Sequence, residues 1–140
     1  MEDKAYETFE HTADIGLRAR GKCLEDLFAN AACGMFETLT DLPGVRPTVK
    51  QEIRLEAVDL AELMVSWLNE LLFRWESEQV LFSRFEVHDV KETGLAATIW
   101  GEPYDSERHE IFGDIKAATY HNLYVVKEGK NWLAEIVLDI

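Results

Sequence analysis

Two segments of the chain repeat their apolar residues at the spacing of an α-helix. Over residues 23–39, Leu24, Leu27, Phe28, Ala31, Met35, Phe36 and Leu39 recur at i, i+3, i+4 and i+7, with Glu25, Asp26, Asn30 and Glu37 between them. That spacing predicts an amphipathic helix. It stops near Asp41 and Pro43-Gly44, where proline lacks a donor and glycine permits the turn. In the second segment Leu60, Leu63, Met64, Trp67, Leu68, Leu71, Leu72 and Trp75 form one stripe. Asp59, with Glu62 three residues on, is a capping-box variant in front of it. Elsewhere the period is two. Ile53, Leu55 and Ala57 alternate with Glu52, Arg54 and Glu56; Leu95, Ala97 and Ile99 with Ala96, Thr98 and Trp100; Leu123 and Val125 with Tyr124 and Val126. These are half-buried strands. The turn signal Glu128-Gly129-Lys130-Asn131 between residues 121–127 and 132–140 predicts a closing hairpin. Strand–helix–strand occurs twice before a run of strands, so the expected class is α+β, two amphipathic helices packed on a mostly antiparallel sheet.

With 140 residues, of which 47% are hydrophobic, the chain is read as one domain spanning 1–140 with a core large enough to exclude disorder. Charge changes the picture more. Twenty-seven acidic residues against 14 basic ones give −13, which argues against gripping bare nucleic acid or an anionic membrane and favours cations and basic protein surfaces. No apolar run approaches the ~20 residues of a membrane span, and the opening MEDKAYETFE is acidic and polar, unlike a secretory leader. Cys23 and Cys33, ten residues apart on the first helix, would lie roughly 15 Å apart, beyond bridging distance. Free thiols fit a reducing, cytoplasmic location.

Several short patterns invite chemistry. Gly16-Leu17-Arg18-Ala19-Arg20-Gly21-Lys22-Cys23 has the outline of a phosphate-binding loop. However, Cys23 supplies no hard oxygen for Mg²⁺ and the alternation of Ile15, Leu17 and Ala19 reads as strand through its middle. The four histidines, His11, His88, His109 and His121, lack the spacing of a zinc site and read mostly as surface or loop residues. Trp67 and Trp75 fit the buried helical face better than a stacking platform. His11-Thr12-Ala13-Asp14 precedes an apolar strand and, taken alone, reads as a local Asx or ST turn. Val137-Leu138-Asp139-Ile140 stops on a strand pattern without a polar tail. If the two segments meet, Asp14, Asp139 and the Ile140 α-carboxylate repel one another unless a cation sits among them. All-oxygen ligation suits Ca²⁺ or Mg²⁺ better than zinc. Lys116, taken alone, is an ordinary solvated lysine.

Five separated segments nevertheless resemble the archease family in order and spacing across essentially the whole chain: Phe9-Glu10-His11-Thr12-Ala13-Asp14-Ile15-Gly16, Trp67-Leu68-Asn69-Glu70-Leu71-Leu72, Gly101-Glu102-Pro103-Tyr104-Asp105, Lys116-Ala117-Ala118-Thr119-Tyr120-His121 and Leu138-Asp139-Ile140. Cys23 departs from the pattern, standing where a Ser or Thr cap is more usual. The resemblance implies the archease fold and an accessory role: activation of the RtcB-type tRNA-splicing RNA ligase by promoting guanylylation of its active-site histidine, and hence multiple turnovers, with no turnover by this protein alone. A second implied role is chaperone-like, toward a tRNA cytosine methyltransferase. The resemblance places a divalent metal, calcium with Mg²⁺ or Mn²⁺ as alternatives, on Asp14, Asp139 and Ile140, and makes Lys116 the functionally required lysine. A stand-alone metal-dependent hydrolase is the remaining reading, weakened because no positioned general base accompanies the carboxylates.

Overall fold

The structure is a computed structural model that describes residues 4–11 and 14–140, the side chains of Glu10 and His11 excepted. Its elements run β1 (Tyr6–His11), β2 (Asp14–Gly21), α1 (Leu24–Leu39), β3 (Val49–Glu56), α2 (Leu60–Glu78), β4 (Val80–Lys91), β5 (Gly94–Pro103), β6 (Ala117–Glu128) and β7 (Asn131–Asp139). Both predicted helices form where the apolar period placed them. The Asp59 carboxylate accepts from the Glu62 N–H at 2.8 Å, while Glu62 reaches back to the Val58 N–H at 3.1 Å, so the capping box closes one residue further out than the usual pattern. Cys23 caps α1 with extended backbone but makes no side-chain capping hydrogen bond.

The class is α+β as expected, with the strands divided between two antiparallel sheets. One has the order β1-β2-β7-β6 and the other β3-β5-β4. The helices lie between them: α1 packs on β2 and on β4, α2 on β6 and on β4. This explains the breadth of the buried stripe on α1. Leu27, Phe28, Ala31, Ala32, Gly34, Met35, Phe36 and Leu39 are all buried, covering roughly 200° of the helix at 100° per residue, about twice the minimum apolar stripe of a helix lying on one surface. Trp67 and Trp75 join the core, and the Trp67 indole N–H is satisfied by the Phe28 carbonyl at 2.9 Å. The predicted hairpin is present: Glu128 pairs with Asn131 around Gly129-Lys130. Gly129 takes φ +63°, the requirement of a II′ turn at its first central position. The phosphate-loop outline falls as its chemistry indicated, with Gly16 and Gly21 both inside β2.

Candidate functional site

Sheet alternation decides which face each candidate occupies. Ile15, Leu17 and Ala19 pair with Leu138, Ile136 and Ala134; all but Ile15 are fully buried, so this face turns to the helices. Asp14, Gly16 and Arg18, opposite Asp139, Val137 and Glu135, therefore share the outer face. Asp14 and Asp139 are direct cross-strand partners, which sets their Cβ atoms about 4.5–5.5 Å apart with like charges opposed. The expected meeting of the two segments thus occurs, and it occurs through strand register. Asp139 is exposed and Asp14 half-buried. Ile140, 44% exposed, follows β7 and lines a recess of about 400 Å³ with Ile15, Thr38, Phe112 and Ile115. Lys116 is exposed just ahead of β6, and its backbone N–H donates to the Asp139 carbonyl at 2.7 Å. Thr12 and Ala13, which complete the first candidate segment, lie outside the described residues.

Beside this end the outer face is organised by Arg18. Its guanidinium donates to Glu135 at 3.0 Å and to Glu7 at 3.1 Å, and it lies 5.0 Å over the Phe9 ring. Phe9 in turn covers Gly16, where an added Cβ would come within 2.2 Å of the ring; any larger residue at position 16 would displace the aromatic. Glu7 is held below the usual carboxylate range, chiefly by its bond to Arg18.

Two features escaped the sequence reading. Asn69, on α2, mimics a strand: its side chain accepts from the Ala118 N–H at 2.8 Å and donates to the Ala118 carbonyl at 3.1 Å. It thereby covers the edge of β6 two residues beyond Lys116, from a half-buried position at the margin of the apolar stripe of α2. The second is the burial of a loop histidine. His109 is buried, 4% exposed, because it joins a network around Glu102. Glu102 accepts from Arg108 Nη1 at 2.8 Å, from His109 Nε2 at 2.7 Å and from the Arg46 N–H at 2.9 Å. The Asp105 N–H donates to His109 Nδ1 at 3.0 Å, so the ring proton resides on Nε2. With the Arg108 bond as the largest cause, the Glu102 carboxyl is pulled down to about 2. His88 and His121 are exposed, as expected.

Among the described residues no group of three or more His, Cys, Asp or Glu side chains forms a metal site. The Asp14–Asp139 pair offers hard oxygen donors of the kind Ca²⁺ and Mg²⁺ select, with water able to complete the coordination of either ion. No helix among the described residues is long and apolar enough to cross a membrane. Cys23 is exposed and Cys33 half-buried, both as free thiols.

Two antiparallel sheets clasping a helix pair, with opposed carboxylates at one sheet end, define a small acidic α+β protein of a distinctive build. The sequence model of the Archease protein family matches residues 6–140, and the chain belongs to that family. It is 44% identical to protein archease of Methanopyrus kandleri over 138 residues, 96% of this chain and 99% of the relative. It is 40% identical to that of Sulfurisphaera tokodaii over 136 residues, 96% and 98% respectively. The solution structure of Methanobacterium thermoautotrophicum protein 1598 superposes with a TM-score of 0.85 at 37% identity, covering 97% of this chain and 99% of the other. A crystal structure from Thermotoga maritima, described as an archease and possible chaperone, gives 0.67 at 22% identity over 100% and 98% of the two chains, which shows the shared fold.

Proposed function

We propose that this protein is an accessory activator of the RtcB-type tRNA-splicing RNA ligase, acting through Asp14, Asp139, the Ile140 carboxylate and Lys116 to promote guanylylation of the ligase. The observation that carries the reading is the register pairing of Asp14 with Asp139, with the main chain of Lys116 bonded to Asp139. Membership of the archease family supports it. With its excess of acidic residues the protein approaches a basic RNA-binding surface by charge complementarity. The carboxylates would hold a divalent ion, which supplies charge stabilisation to nucleotide phosphates. Lys116 offsets developing negative charge there, and its main-chain bond to Asp139 keeps the lysine and the carboxylates in one frame.

Guanylylation of the ligase, measured as GTP-dependent labelling, tests the reading. Stimulation should fall at least about tenfold, the effect of misplacing or removing a charge-stabilising group, for Asp14→Ala, Asp139→Ala, Lys116→Ala and a form extended by two residues after Ile140. Full stimulation by all four would reject it. The second reading is a chaperone-like binding module for a tRNA cytosine methyltransferase, favoured by the description of the Thermotoga protein. On that reading Asp139→Ala lowers the melting temperature and leaves ligase stimulation per folded molecule intact.

A further inference from the structure

The segment from Tyr104 to Lys116 joins β5 to β6 with no regular structure beyond a bridge between Thr40 and Ile111. A connection of about a dozen irregular residues is long for a compact fold and is usually functional or disordered. Here it is fixed at three places. The Thr40 hydroxyl donates to the Glu110 carbonyl at 2.7 Å, and the Phe112 N–H donates to the Leu39 carbonyl at 2.7 Å. At its far end the Lys116 N–H meets the Asp139 carbonyl. At its near end stands the Glu102 network, where Arg108 also donates to the Gly44 carbonyl at 3.2 Å. Tyr104 stacks on His109, and Trp75 meets Tyr104 edge-on.

The near-end fixing is unlike the other two because it is charged and buried. A desolvated carboxylate is retained only with its donors in place, and apolar side chains of similar volume would fill such a position at no greater cost. What Glu102 adds is direction: its three donors come from the segment after α1 and from two adjacent residues of the loop, so it sets where the loop leaves β5. We infer that Glu102, through Arg108 and His109, is a positioning residue that locks the 104–116 loop in one conformation and thereby presents Lys116 beside the Asp14–Asp139 end of the sheet. The locked loop leaves Phe112 54% exposed at the recess shared with Ile15, Ile115 and Ile140. The role of Lys116 rests on the proposed activation of the ligase; the lock itself does not.

Hydrogen–deuterium exchange on the whole protein reads the lock, and guanylylation of the ligase reads its consequence. In Glu102→Gln, amides of residues 105–116 should exchange about tenfold faster, the scale of one lost charged hydrogen bond, while α1 and α2 keep their protection. Maximal stimulation should fall about tenfold or more, since small misplacements of an acting group are that costly. Glu102→Gln combined with Lys116→Ala should be no worse than Lys116→Ala alone. Arg108→Ala, at an exposed site, should reproduce the faster exchange, and it decides the matter if Glu102→Gln does not fold. Unchanged exchange over 105–116 overturns the lock. Faster exchange with undiminished stimulation overturns the positioning of Lys116. A wild-type protein that fails to stimulate the ligase rejects the activation reading while the exchange result still judges the lock.

Discussion

Cys23 occupies the N-cap of α1 with φ −140° and ψ 170°, the backbone of a capping residue, yet its thiol makes no capping hydrogen bond of good geometry and meets only the Asp26 main chain and carboxylate weakly. Asp59 at the start of α2 shows what is missing, since its carboxylate accepts from Glu62. A serine hydroxyl at position 23 would bond a first-turn N–H more strongly than the thiol, a weak acceptor, can. Cys23→Ser should therefore raise stability by about 0.5–1 kcal/mol, measured by denaturant unfolding at unchanged slope. Cys33 behaves differently: burial, then the nearby Glu37 carboxylate, pushes its thiol up to about 11, so it is an inert packing residue. Neither cysteine has the electropositive surroundings that activate a thiolate.

At the scale of elements, the helix–strand seam between α2 and β6 carries a prediction. Ala118 is 4% exposed, and Asn69 satisfies both its N–H and its carbonyl. Asn69→Ala leaves those groups unpaired in a buried place, at about 1–3 kcal/mol. Because Lys116 lies two residues upstream, ligase stimulation should drop as well; calorimetry and the labelling assay read the two effects separately. The helices and the terminal hairpin were legible because period and turn chemistry are local: the stripe from Leu60 to Trp75 and Gly129 each specify their element unaided. The division of the strands into two sheets was not, since alternation in Ile53–Ala57 and Leu95–Ile99 reports a buried face without naming the sheet behind it. Asp14 and Asp139 were legible as candidates, while their opposition depended on a pairing across most of the chain. Glu102 and His109 were hidden by their polarity, which ordinarily marks the surface; their burial follows from satisfying each other.

For the molecule as a whole, the same carboxylate shapes the response to acid. Glu102 falls from an ordinary 4.5 to about 2 in the fold. A depressed value means that the folded state holds the charged form more strongly, so its stabilisation is present above pH 4.5 and is lost as pH falls toward 2. Wild type should lose stability progressively across that window, and Glu102→Gln, less stable at neutral pH, should show a shallower decline there in unfolding measured against pH. The net charge of −13 first argued against work on RNA. The proposed function places the contact on a basic partner instead, where association should weaken as salt screens the attraction.

The first sheet has a temporal consequence. Its central pair joins Asp14–Gly21 to Trp132–Asp139, so it closes only after more than a hundred intervening residues have been made, whereas the β3-β5-β4 sheet is drawn from a contiguous middle stretch. Long-range closure of this kind is slow because the chain loses entropy before contacts reward it. During synthesis the middle sheet can assemble first against the helices, leaving β1 and β2 as an unpaired hairpin until β7 emerges. Asp14 faces Asp139 only once that strand docks, so a nascent or truncated chain displays neither the carboxylate pair nor the lysine tied to it.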